Sequence, residues 1–177
     1  SATRVLERWC REHALAKVPV VVARRIEPAD TEASAATREA LGVGPHETVR
    51  YRRVELDCGD RVLSVADNWY VPARLTAPMN RLLDSTQTPF GKVVQPLHPH
   101  RETLEVRLLW SPLPEGWERA PAPRAAAPVR ALALPPALFE HRALVYAADH
   151  RPLAEVREVY QRDLLAFPQP RVTEPAH

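Results

Sequence analysis

The chain has 177 residues, 45% of them apolar and 26% charged, with 24 lysines and arginines against 22 aspartates and glutamates. That length suits one ordered domain burying about 70% of its unfolded surface, and a net charge of +2 provides no broad field for nucleic acid or an anionic membrane. No stretch of 18 apolar residues offers a transmembrane helix, and no signal peptide is visible, so a monomeric chain in the cytoplasm is expected.

The elements follow in order. Ser1 can cap a first helix in which Val5, Leu6, Trp9, Cys10 and His13 share one face. Lys17 to Ile26 is rich in valine and reads as a strand, with Pro19 near its start. A second helix is expected from Thr31 to Leu41, begun near Asp30 or Thr31 and stopped by Gly42 and Gly44. Residues 48–71 form a hairpin turning at Cys58-Gly59-Asp60-Arg61, with Pro72 after it. A short helix over Met79 to Asp84 precedes the segment Thr88-Pro89-Phe90-Gly91. A strand is expected at 102–110, with Leu104, Val106, Leu108 and Trp110 on one side.

Residues 111–137 hold seven of the nineteen prolines. Proline denies the backbone donors that a sheet or helix interior needs, so a surface insertion is expected there, with a short helix near Leu138. A final hairpin spans about 141–148 and 152–164, turning at Asp149-His150-Arg151. Early helices and antiparallel strands joined by short turns make a single α+β domain over 1–177, with one antiparallel β-sheet flanked by helices.

Cys10 and Cys58 are too few for a zinc site and lack CxxC spacing. They are either two buried thiols or a disulfide, and the latter implies an oxidising compartment. On that alternative the protein is periplasmic or lipid-anchored.

Two charges sit among apolar strand neighbours. Side chains alternate across a strand, which places Arg53 with Val49 and Tyr51, and Glu158 with Ala154, Val156 and Tyr160. A charge in such surroundings is paired or binds something, because burying it alone costs several kcal/mol. The two are an ordinary ion pair, residues at exposed strand ends, or ends of a ligand site. The face assignment stays open, since Val54, Leu56 and Cys58 form an apolar side that begins with Arg50 and Arg52.

Taken in order, these segments resemble chorismate pyruvate-lyase: Arg53 in the first strand, then Cys58-Gly59-Asp60-Arg61, Val71-Pro72, Thr88-Pro89-Phe90-Gly91 and Arg157-Glu158-Val159-Tyr160. Ser1-Ala2-Thr3-Arg4 is similar to the family's S-M-T-K-R start, implying that the helix before it is missing here. The likeness covers most of the chain through the order of the set, with no single specific motif. It implies a chorismate-lyase-like fold and a pocket needing no metal and no cofactor. Arg53 would hold a ring carboxylate, the amide of Phe90 would be a second donor, and Glu158 would meet a 4-hydroxyl. The implied reaction releases pyruvate from chorismate and leaves 4-hydroxybenzoate. Its driving force is aromatisation, so the protein need only fix a reactive conformer and stabilise shifting charge.

Three departures alter the walls. Ala2 stands where the family has a pocket methionine, Phe90 where it has leucine, and the proline-rich connection is longer. Hence the alternative expectation of a non-catalytic domain of the same fold binding a small aromatic carboxylate, as in the sensor halves of some bacterial repressors. No helix-turn-helix segment precedes it in this sequence, which disfavours a stand-alone regulator. A third alternative is a secreted or tethered binding protein. Other constellations are weaker. His98 and His100 lack a spaced third metal ligand, Ser64 and Ser85 lack a nucleophile elbow, and Glu55, Asp60 and Asp67 read as turn and surface acids rather than a glycosidase pair.

Overall fold

The apolar-polar alternation of the sequence condenses into one six-stranded sheet, antiparallel throughout, in a computed structural model that describes residues 2–26, 31–113, 115–119 and 133–168. Its strands are β1 (Val21–Arg25), β2 (Arg50–Cys58), β3 (Arg61–Tyr70), β4 (His100–Leu108), β5 (Ala137–Tyr146) and β6 (Pro152–Gln161). They lie in the order β1-β2-β3-β6-β5-β4. The two hairpins foreseen in the sequence therefore meet along β3 and β6, where Ala66 stands opposite Glu158. Gly59 makes the first hairpin turn at φ +64°, and a Cβ there would come within 2.8 Å of the Ala16 Cβ. Glycine satisfies both the left-handed backbone and the close approach.

The helices are α1 (Ala2–Glu12), α2 (Ala35–Ala40), α3 (Ala77–Ser85) and α4 (Phe90–Val93). Helix α1 buries Leu6 and Cys10 against Val21, Ala23, Val54 and Leu56 of one sheet face. On the same face, Met79 and Leu83 of α3 and Phe90 and Val93 of α4 pack with Tyr70 and Ala154. The sheet's other face is mostly charged, with Arg24 against Glu55 and Asp57, Arg53 against Asp67, Arg142 against Glu155 and Arg157 against Glu140. Among the described residues an apolar cluster covers its corner, where Leu41, Val71 and Leu144 meet beside α2.

The Cys10–Cys58 disulfide ties α1 to the end of β2, with both residues buried. Of the two readings of these cysteines, the structure takes the bond.

Several boundaries differ from the sequence reading. Helix α2 starts at Ala35 because Ser34, not Asp30 or Thr31, supplies the cap, its hydroxyl accepting from the Thr37 N–H. Residues 27–30 lie outside the described residues. Strand β4 begins at His100, two residues early. Around Leu138 there is no helix: β5 already runs from Ala137, with Phe139 paired to Tyr160 and stacked on its ring at 4.4 Å. Cross-strand packing outweighs local preference there. Of the proline-rich insertion, residues 111–113, 115–119 and 133–137 are described, including a short 3-10 turn at Trp117–Arg119. The remainder of that expectation lies outside the described residues. Among the described residues no helix is long and apolar enough to cross a membrane.

Candidate ligand-binding site

A cavity of about 90 Å³ lies between the apolar sheet face, the start of α1 and helix α4. One water needs roughly 15 Å³ on this measure, so the space holds several waters or one small organic molecule. Its floor is Arg52, Val54 and Leu56 of β2, Ala66 and Asn68 of β3, and Val156 and Glu158 of β6. Ala2 and Thr3 close one side, and Phe90 and Val94 another.

The arginine in this cavity is Arg52, not Arg53. Register explains the correction. Arg52 stands opposite Asn68, and Val54 opposite Ala66, so the apolar run Val54-Leu56-Cys58 carries Arg52 to the inner face. Arg53 takes the outer face, half exposed, with Nη1 3.7 Å from Asp67. Glu158, Phe90 and Ala2 do line the cavity. The pairing of Arg53 with Glu158 is absent; each meets a different partner.

Arg52 is 3% exposed. Its Nη1 and Nη2 donate to the carbonyls of Thr88 and Thr86 at 3.2 Å each, and its buried Nε has no partner among the described residues. No carboxylate lies within ion-pair distance of it among those residues, although neighbouring Arg50 pairs with Asp84. Burial, and then the nearby Arg25 cation, hold its pKa below the usual arginine value. A buried cation with unspent donors and a second cation close by favours an anion. Asn68, which stands opposite Arg52 and also lines the cavity, has a buried side-chain oxygen with no partner among the described residues. A primary amide can both accept and donate.

Glu158 lies two strands away from Arg52, roughly 10 Å across the sheet. Its Oε2 is 2.6 Å from Nη2 of Arg101 and accepts from the Tyr160 hydroxyl at 3.1 Å. Arg101 belongs to the part of β4 that the sequence reading left out, and it too lines the cavity. Burial works against its charge, but Glu158 outweighs that and raises its pKa. Burial and the neighbouring Glu158 carboxylate push the Tyr160 hydroxyl well above its ordinary value. His141 is held below its usual pKa, first by burial and then by Arg101. The second end of the cavity is thus a neutralised Arg–Glu pair flanked by a neutral tyrosine.

Phe90 is the first residue of α4, following Pro89 at the cap, so its N–H has no acceptor within the helix. Helix α1 is fixed beside it by Glu7, whose Oε1 accepts from both Lys92 of α4 and the Val21 N–H of β1. With the Cys10–Cys58 disulfide and the packing of Leu6, that carboxylate helps hold the helix carrying Ala2 and Thr3 over the cavity. Among the described residues no group of three or more histidines, cysteines or acids is placed to hold a metal ion.

Sequence missed Arg101 and Asn68 for different reasons. Asn68 was legible as the β3 residue in step with Ala66 and Tyr70. Arg101 carried no signal before the start of β4 was known.

No family model matches the chain. Among solved structures it is similar to the effector domain of PhnF from Mycobacterium smegmatis, at a TM-score of 0.55 and 14% identity, covering 92% of this chain and 89% of that one. Against the longer PhnF structure the TM-score is 0.52 at 14% identity, and the match covers 87% of this chain but 64% of that one. These likenesses establish the fold that the sequence implied. In sequence, 47% identity over 174 residues links it to the uncharacterized protein y4mC of Sinorhizobium fredii, covering 96% of this chain and 72% of that protein. The chain belongs to the family of y4mC.

Proposed function

We propose that this domain binds a small organic anion, with a carboxylate on Arg52 and a hydroxyl or similar donor toward Glu158, without transforming it. The observation that carries this reading is that the buried Arg52 lines the cavity with no carboxylate within ion-pair distance, and no partner for its Nε, among the described residues. A bound carboxylate would supply the missing charge in a low-dielectric setting, where such contacts are strongest. The similar PhnF structure is that of an effector domain, which supports a small-molecule site in this fold. An aromatic carboxylate such as 4-hydroxybenzoate fits the two polar ends and the apolar floor between them.

The lyase reading has one specific support: Arg52, Phe90 and Glu158 border a single cavity. Against it, Arg101 already neutralises Glu158 at 2.6 Å, which leaves that carboxylate little charge with which to steer a reaction. The disulfide supports the exported alternative over the cytoplasmic one, since cytosolic thiols are kept reduced.

Calorimetric titration with benzoate, 4-hydroxybenzoate and chorismate tests the proposal, with product absorbance followed during the chorismate run. Binding without release of 4-hydroxybenzoate is expected. Turnover of chorismate would replace the binding reading with the lyase, and no heat with any of the three would remove the aromatic carboxylate.

A further inference from the structure

We propose that two copies of this chain join edge to edge through β4, making one continuous twelve-stranded sheet around a two-fold axis at Val106. Strand β4 is the last in the sheet, paired with β5 on one side, and its outer edge has no strand neighbour among the described residues. Free sheet edges recruit other chains, and proteins usually blunt them with proline, charged side chains (lysine above all) or β-bulges. The His100–Leu108 strand contains neither proline nor lysine, and its β-bulge, between Thr103 and Glu105, lies before the Glu105–Leu108 run, whose two charges are of opposite sign. It instead exposes large apolar side chains, Leu104 at 42%, Val106 at 55% and Leu108 at 72%. These residues, with Trp110, were expected to share one side of the strand.

The charge pattern selects the occupant and the register. A two-fold axis perpendicular to the sheet keeps each face on its own side, so it must pass through a pair of identical residues. Centred on Val106, it sets Glu105 opposite the partner's Arg107 and Arg107 opposite the partner's Glu105. It also sets Val106 against its own copy. Within the straight run Glu105–Leu108, an axis at Glu105 would oppose two glutamates, one at Arg107 two arginines, and one at Leu108 would pair no charges. Of the axes in that run only the one at Val106 turns the strand's charges into attractive cross-strand pairs, and like charges directly opposite disfavour its neighbours.

Packing on both faces agrees with that register. Glu105 and Arg107 lie on the charged face, where Arg107 already donates to Glu140, itself held by Arg157. The partner's Glu105 would extend this alternating row of charges. On the other face Val106 is in step with His141, and Leu108 with Phe139. Leu108 borders an apolar groove shared with Val5, Trp9 and Trp110, so joining the edges moves this exposed strip away from water. The β-bulge between Thr103 and Glu105 ends the straight run, which confines the pairing to Glu105–Leu108 and its immediate flanks. In place of the monomer expected from sequence, the strand specifies a second copy of itself. This proposal does not depend on the identity of any ligand.

Sedimentation velocity over a concentration series, with the chain oxidised at Cys10–Cys58, should show a reversible dimer. Glu105→Arg and Arg107→Glu should each weaken it about tenfold or more, because either change places like charges opposite each other twice. Mixing the two variants should restore a heterodimer, since both cross-strand pairs become attractive again. Val106→Cys places two thiols on the axis, and mild oxidation should give a covalent dimer on a non-reducing gel. A wild type that stays monomeric throughout overturns the proposal, as do single variants that dimerise like wild type, a mixture that stays monomeric, or a Val106→Cys chain that gives no covalent dimer.

Discussion

Replacing Arg101 by methionine isolates the most consequential ion pair in the cavity. The Glu158 side chain is 7% exposed and that of Arg101 21%, and their closest atoms are 2.6 Å apart. Removing one member of a buried pair costs about 3–5 kcal/mol, because the surviving charge has lost its counter-ion in a poorly solvated place. Here Glu158 keeps one donor, the Tyr160 hydroxyl at 3.1 Å. A hydrogen bond to a charged group recovers roughly 1.5 kcal/mol. The expected loss is therefore about 3 kcal/mol, equivalent for a chain of this size to a fall of roughly 10 °C in Tm. Adding Glu158→Leu should recover most of it, since an apolar replacement of the whole pair removes the stranded charge. Urea unfolding of wild type, both single variants and the double variant, followed by tryptophan fluorescence, gives the coupling. A loss under about 1 kcal/mol in Arg101→Met, or a double variant no more stable than that single one, would refute the reasoning.

Two further outcomes follow from the same contacts. Reduction of the Cys10–Cys58 bond releases a closure spanning 48 residues, which in the chain-entropy model costs about 4 kcal/mol of stability. Thiol titration in denaturant should find no free thiol before reductant and two after it, with a lower Tm in the reduced chain. The Glu7 carboxyl has its native pKa lowered: burial opposes this, but Lys92 and the Val21 N–H outweigh it. Its contribution is thus fully present above the usual carboxylate pKa, about 4.3, and is lost as pH falls through the depressed native value. The stability gap between wild type and Glu7→Gln should be steady near neutrality and shrink in acid; a gap that grows in acid would reverse the sign.

How much the sequence disclosed depended on how local each signal was. The first hairpin was legible because apolar-polar alternation marks its strands and Gly59 its turn, and the second because Asp149-His150-Arg151 separates two such runs. Phe90, Glu158 and Ala2 were placed at the cavity by the order of short segments along the chain. The choice between Arg52 and Arg53 was not local in this way. It rests on which side of β2 meets the helices, and a one-residue step reverses the face of every side chain. The run Val54-Leu56-Cys58 pointed to Arg52, while Tyr51 beside Arg53 suggested a second apolar side. In the structure Tyr51 packs at 5.2 Å on Trp69, on the outer face. An aromatic pair on a solvated face looks like core when read along one strand alone. The Arg101–Glu158 contact was invisible for another reason. It joins β4 to β6 across β5, and nothing near either residue in sequence announces that arrangement.

The central claim is that Arg52, on the inner face, is the anion anchor. Titration of 4-hydroxybenzoate into wild type, Arg52→Leu and Arg53→Leu tests it most directly. Loss of a charge-assisted contact of about 2–3 kcal/mol predicts binding weakened roughly 30- to 160-fold in Arg52→Leu. Arg53→Leu, whose arginine lies beside Asp67 on the other side of the sheet, should bind within about twofold of wild type. Loss of binding in Arg53→Leu with Arg52→Leu unaffected, or no binding to wild type at all, would contradict the account.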